Sequence, residues 1–158
     1  MRPISVILMA ALAVTGCAAQ AARDPVPQAA SPASSTVSSV PTAASLDGSE
    51  WRFVELHGAP VPAGVKATLR FRGGRAAGRA GCNAYGARYQ IAADGSAKFT
   101  QTLSTKMACL QPVGAMQVEQ GVFNAFRRVA KVAIVDGDLL MLDADGKPLA
   151  KLVPAALP

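Results

Sequence analysis

The stretch VAIVDGDLLML, residues 132–142, carries the pattern that decides the fold. Two apolar runs of four residues flank its central Asp136-Gly137 dipeptide, and Asp-Gly between apolar runs is the strongest short-range sign of a β-hairpin. A second such dipeptide, Asp145-Gly146, leads into the largely apolar residues 149–153. The end of the chain therefore predicts three short antiparallel strands.

The same alternation of apolar and polar residues continues upstream, and it predicts further strands at residues 51–57, 67–72, 75–80, 85–91 and 98–103. One segment, residues 113–129, has its apolar side chains at helical spacing instead. The fold class predicted is mainly β with one helix (α+β). We expect seven or eight strands in a small antiparallel curved sheet or partly open barrel, covered by a helix in the C-terminal half.

The first 16 residues have the parts of a bacterial signal peptide. Arg2 precedes an apolar run, residues 4–14, that is too short to span a bilayer of about 30 Å. The following Val14-Thr15-Gly16-Cys17 resembles the lipobox of bacterial lipoproteins, which implies that Cys17 is acylated and anchors the protein. Because Ala18 rather than aspartate follows, the resemblance implies the outer membrane, on its periplasmic face. The alternative is an ordinary secretory signal with an incidental cysteine.

Residues 17–45 comprise this cysteine and a stretch dominated by Ala, Ser and Pro. Such a composition buries too little apolar surface to offset the entropy of ordering, so we expect a disordered linker. Residues 46–158 then form one small domain with a single core.

Composition argues against several classes of function. The chain has one histidine, His57, which excludes a histidine-cluster metal site, and we expect it at a solvated strand end. The aspartates of the C-terminal hairpins lack calcium-loop spacing, so we expect them to serve turns. We find no nucleophile–base pair or carboxylate dyad, and we expect no enzyme activity, no metal and no cofactor.

If Cys17 carries lipid, Cys82 and Cys109 remain as an even pair in an oxidising compartment. A disulfide between them would close a loop of about 27 residues and stabilise the domain by roughly 3.5 kcal/mol in the chain-entropy model. Two buried reduced thiols or a redox-active cysteine are the alternatives, although the chain has no C-x-x-C motif.

Two short motifs carry a family resemblance. Gly81-Cys82-Asn83-Ala84-Tyr85, preceded by Gly78, and Thr105-Lys106-Met107-Ala108-Cys109 resemble the paired motifs of the META domain (HslJ-like) family. The resemblance covers residues 49–152, and it extends to Trp51, Glu119, Phe123 and Asp143. It implies a role in heat or envelope stress and antibiotic tolerance, without an established molecular activity.

The motif residues Gly81, Cys82, Asn83, Thr105, Met107, Ala108 and Cys109 have two interpretations. In the first they specify the fold: Gly81 and Gly86 adopt positive φ at a tight turn, and Asn83 bonds nearby backbone. In the second, Asn83, Tyr85, Thr105 and Lys106 line a recognition surface.

Basic residues cluster in the first half of the domain. The chain has a net charge of +6, and no acidic residue lies between Glu55 and Asp94, where six basic residues occur: Lys66, Arg70, Arg72, Arg75, Arg79 and Arg88. Arg70 and Arg72 share the outer face of one predicted strand. With Asn83, Tyr85 and Lys106 they form the predicted binding surface, for anionic lipid headgroups, lipopolysaccharide phosphates or an acidic envelope protein. A merely solvated face is the alternative.

These features favour a monomeric, non-enzymatic envelope lipoprotein that binds a protein or an envelope component. Nucleic acid is not an expected partner, because that compartment lacks it and no aromatic residues interleave with the basic ones. A carrier or sensor of a small apolar ligand such as a lipid, or an inhibitor of an envelope hydrolase, remains an alternative. Long-range repulsion disfavours a basic inhibitor of basic lysozymes but not an inhibitor of proteases.

Overall fold

A computed structural model describes residues 38–155 of the chain. This part contains ten strands and two helices: β1 Ser38–Ser39, α1 Ala43–Leu46, β2 Glu50–Leu56, β3 Ala59–Pro60, β4 Thr68–Arg72, β5 Arg75–Ala80, β6 Asn83–Ile91, β7 Ala97–Ser104, α2 Ala115–Arg128, β8 Lys131–Val135, β9 Asp138–Leu142 and β10 Pro148–Pro154. No helix within residues 38–155 has the length and apolar character needed to cross a membrane.

All ten strands belong to one antiparallel sheet. Its order is β1-β8-β9-β10-β2-β4-β5-β6-β7, and β3 pairs with β2. The sheet curls until the residue before β7 meets the start of β8 at a single bridge, Ser96 to Lys131, but it does not close. The prediction of a curved antiparallel sheet with one main helix is confirmed.

The hairpin of β8 and β9 shows how residues 132–142 determine the local fold. Asp136 and Gly137 have φ of 52° and 85°, and Val135 faces Asp138 across the turn. A two-residue turn that matches the twist of its strands needs positive φ at both central positions, which glycine and aspartate tolerate.

The inner face of the sheet and one face of α2 form the core. The largest fully buried apolar side chains come from five strands and the helix: Phe53, Leu69, Phe71, Val122, Val132, Leu139, Met141, Leu149 and Leu152. On the β7 side, the rings of Phe99 and Phe126 stack with their centroids 4.4 Å apart. Helix α2 therefore fills the concave side of the sheet with side chains.

The structure differs from the expected linker at its C-terminal end. Ser38–Ser39 pairs with β8, and α1 begins at the Thr42 cap, whose hydroxyl accepts a hydrogen bond from the Ser45 N–H. Leu46 of α1 is buried in the core, which explains why this segment is ordered. The predicted signal peptide, Cys17 and residues 17–37 of the predicted linker lie outside the described residues.

The prediction of positive φ is confirmed at Gly81 and is wrong at Gly86. Gly81 has φ of +63° in the turn between β5 and β6. Gly86 lies inside β6 and is not among the residues with positive φ, because the strand continues through it to Ile91. The structure has ten strands rather than the seven or eight predicted. Strands β1 and β3 are only two residues long, which is too short to show an alternating pattern.

Candidate functional site

The two family motifs meet at one end of the sheet. Cys82, just before β6, is joined by a disulfide to Cys109, in the segment between β7 and α2, with the Cα atoms 5.8 Å apart. The predicted pairing is confirmed, and the bridge fixes the segment that leads into the helix.

Asn83 holds this junction together through four hydrogen bonds. Its Nδ2 donates to the Met107 carbonyl at 3.0 Å and to Glu119 Oε2 at 2.7 Å. Its Oδ1 accepts from the Thr105 hydroxyl at 2.6 Å and from the Met107 N–H at 2.8 Å. We call Cys82, Asn83, Thr105, Met107 and Cys109 the motif clasp. It ties β6 to the segment after β7 and to α2.

The prediction that Asn83 and Tyr85 line a recognition surface is wrong. Asn83 is 1% exposed and Tyr85 is 5% exposed, because both face inward from β6. The Tyr85 hydroxyl donates to the Thr68 carbonyl at 2.7 Å, and burial raises the pKa of Tyr85 above its usual range. Both side chains make their hydrogen bonds inside the protein, so Asn83 and Tyr85 specify the fold.

Two of the motif glycines are required by close backbone approaches. A Cβ atom at Gly78 would lie 2.0 Å from the Thr68 carbonyl oxygen, and one at Gly81 would lie 2.1 Å from the Ala115 carbonyl oxygen. Gly81 lets the start of α2 pack directly on the turn before β6.

The outer face of the sheet carries a row of three arginines. Arg72 on β4 faces Arg75 on β5, and Arg75 in turn faces Arg88 on β6. All three side chains are exposed. Directly opposite residues have Cβ atoms about 4.5–5.5 Å apart, so this arginine row concentrates three positive charges across three strands.

The other predicted surface residues lie outside this row. Arg70 is exposed on β4 as expected, but its guanidinium is 2.8 Å from Glu50 Oε1, which offsets its charge. Lys106 is exposed near Ala84, at the opposite end of the β5–β6 hairpin from Arg72. Of the predicted surface residues, only Arg72 belongs to the arginine row. Arg75 and Arg88 were in the predicted run of basic residues, but it is the register of the strands that places them beside Arg72.

His57 and Asp143, two further polar residues that the sequence singled out, have structural partners. His57 is exposed at the end of β2, and its Nε2 lies 3.1 Å from the Gly121 carbonyl, which links β2 to α2. Asp143 accepts hydrogen bonds from the backbone of Asp145 and Lys147 and pairs with Arg128 at 3.2 Å. Within residues 38–155, no three His, Cys, Asp or Glu side chains are grouped to hold a metal ion.

Comparison with known proteins assigns the domain. The family model described as META domain matches residues 44–155. The fold is similar to the NMR structure of a protein from Burkholderia xenovorans, with a TM-score of 0.60 and 22% identity over 73% of this chain and 87% of that one. A second NMR structure is similar with a TM-score of 0.56 and 17% identity over 70% and 92% of the two chains. No curated protein gives a significant match.

Proposed function

Because this chain belongs to the META domain family, we propose that its function resides in the surface left free by the family fold, and that this surface docks on phosphate groups of the bacterial envelope. The protein acts there as a monomeric, non-enzymatic lipoprotein, anchored through Cys17 on the periplasmic face of the outer membrane. Its docking supports the envelope during stress or antibiotic exposure.

The observation that carries the proposal is the arginine row. Like charges directly opposite one another on neighbouring strands destabilise a sheet, so Arg72, Arg75 and Arg88 carry a cost in folding free energy. No ion pair within residues 38–155 involves any of the three, although the Nε–H of Arg88 donates to the neutral Gln101 Oε1 at 2.8 Å. A dense anionic surface would remove this repulsion.

Phosphate groups suit this arrangement on chemical grounds. Guanidinium groups bind phosphate oxygens through paired, charge-assisted hydrogen bonds. Each basic residue close to an anionic lipid surface contributes about 1 kcal/mol, so the arginine row would contribute about 3 kcal/mol. An exposed row of side chains across three strands also suits a membrane surface better than a small ligand that needs a deep pocket.

The position of α2 argues against the alternative of an apolar carrier. A carrier needs space between the sheet and the helix, and there the rings of Phe99 and Phe126 stack while Val122 is fully buried. Within residues 38–155, no structural feature favours inhibition of a hydrolase over docking on phosphate.

A two-vesicle capture experiment tests the proposal. The full chain is reconstituted in phosphatidylcholine vesicles, and a second, labelled population containing phosphatidylglycerol is added. We expect the first population to capture the second. The triple variant R72E/R75E/R88E should weaken capture by about a hundredfold or more, since it loses about 3 kcal/mol of attraction. Labelled vesicles containing lipopolysaccharide distinguish the two sources of phosphate.

The matched control reverses three exposed basic residues elsewhere, R127E/K131E/K147E, and so changes the net charge equally. It should retain most of the capture. Equal capture by both triple variants would show that net charge alone attracts the vesicles, and it would overturn the proposal.

A further inference from the structure

A shallow groove on the outer face begins at the arginine row. It has a volume of about 200 Å³ and lies over β5, β6 and β7. Ala77 and Gly86, which face each other across the two strands, form its floor. Arg75 and Arg88 border it on one side, and Leu103 borders it further along.

Gly86 keeps this groove open, although a side chain at this position would meet no obstacle. A Cβ atom there would meet no atom within 4 Å, and φ is outside the left-handed region. Gly78, in contrast, is required by its close contact with β4. A glycine inside a strand often marks a bulge or a place where a ligand comes close to the backbone, and the exposed position of Gly86 on the outer face suits both.

A β-bulge shapes the polar end of the groove. Gly86 pairs with Leu103, and Arg88 pairs with Thr100. Between these two pairs, β6 has one residue and β7 has two. The extra residue, Gln101, has φ of 51°, which is uncommon for a residue with a side chain. The bulge brings Gln101 Oε1 within 2.8 Å of Arg88 Nε and thereby fixes the guanidinium at the border of the groove.

The other end of the groove is apolar and open to solvent. Leu103 faces Gly86 from β7 and is 76% exposed. Large apolar side chains this exposed in a folded domain are candidates for contact with an apolar partner. The groove thus has two guanidinium groups, of Arg75 and Arg88, at one end and an apolar surface that includes Leu103 at the other.

We infer that the groove binds one anionic lipid molecule, with its phosphate between Arg75 and Arg88 and its acyl chain over Ala77 and Gly86 against Leu103. This inference rests on the proposed docking function and deepens it. The arginine row attracts the anionic surface, and the groove selects an amphiphile over a bare anion.

Native mass spectrometry of the full chain in a non-ionic detergent tests this inference, with short-chain phosphatidylglycerol as the probe. We expect phosphatidylglycerol adducts in excess over short-chain phosphatidylcholine, with little competition from inorganic phosphate. The variant Gly86→Leu should weaken phosphatidylglycerol binding by about tenfold, the equivalent of about two methylene groups kept out of the groove.

The matched control is Ala84→Leu, because Ala84 is exposed on the same strand but does not line the groove. It should bind like the wild type, and circular dichroism should show all three chains folded. Equal binding by Gly86→Leu and the wild type would overturn the inference.

The two proposals fail in different ways. If reversal of the arginine row abolishes vesicle capture while Gly86→Leu leaves lipid binding intact, docking stands and the groove inference falls. If reversal of the row has no effect on capture, the proposed function itself is wrong. Inorganic phosphate that competes as well as the lipid would show binding of an anion alone and would contradict the groove inference.

Discussion

At the scale of single residues, Asn83 decides how the two family motifs meet. All four of its hydrogen-bonding positions are used, and its partners come from two different parts of the chain, the segment after β7 and helix α2. The sequence indicated that Asn83 bonds nearby backbone. It could not indicate the partners, because Thr105, Met107 and Glu119 are more than twenty residues away.

Replacing Asn83 with alanine should therefore destabilise the domain strongly. We expect Asn83→Ala to lower the free energy of unfolding by about 3 kcal/mol, because it leaves the Met107 backbone and the Glu119 carboxylate without these partners. Urea unfolding measures the change. Thr105→Val, which removes a single hydroxyl from the same junction, should cost only about 1 kcal/mol. A smaller loss for Asn83→Ala than for Thr105→Val would contradict the central position of Asn83.

Asp94 gives a prediction about pH. The backbone N–H and then the hydroxyl of Ser96 hold the pKa of this carboxyl below its ordinary value of 3.8. A carboxyl whose pKa is lower in the folded state adds stability above the unfolded pKa, and this stability is lost as pH falls through the folded value. We expect the wild type to lose stability below about pH 4 more steeply than Asp94→Asn does.

Urea midpoints measured for both chains between about pH 6 and about pH 2 test this expectation. The two curves should differ at neutral pH and converge in acid. Parallel curves over the whole range would show that the Ser96 contacts do not depend on the charge of Asp94.

At the scale of elements, the hairpins could be predicted and the bulge could not. Asp-Gly dipeptides and alternating residues placed β8, β9 and β10 correctly, since these signals are local. The bulge at Gln101 depends on which residues of β6 and β7 face each other, and this register is settled by packing of the inner face. For the same reason the sequence listed six basic residues but did not predict which three would align.

Two glycines on neighbouring strands should respond to substitution in opposite ways. Gly78→Ala should destabilise the domain by about 3 kcal/mol, because its Cβ would overlap the Thr68 carbonyl and push β4 from β5. Gly86→Ala should be neutral or stabilise by up to about 1 kcal/mol, because its Cβ meets open space and the unfolded chain loses freedom.

Thermal unfolding of both variants provides the comparison. A loss of stability in Gly86→Ala comparable to that in Gly78→Ala would mean that Gly86 has a structural role, and the groove would lose its main support.

At the scale of the whole molecule, the inner face of the sheet forms the core, and the outer face carries the proposed binding surface. The inner face packs on α2 and holds the core, and the motif clasp locks the end of the sheet to the start of that helix. The outer face carries the arginine row and the groove, which contribute little to the core. The family motifs therefore explain the fold, and the charged face is where we expect this chain's function.

The dependence of vesicle capture on salt tests the docking claim most directly. Exposed charges are screened as ionic strength rises, so capture of phosphatidylglycerol vesicles by the full chain should fall steeply between about 0.05 M and about 0.5 M salt. R72Q/R75Q/R88Q should give weaker capture with a much shallower dependence on salt. If the wild type and this variant show the same capture and the same salt dependence, the arginine row is not a docking surface.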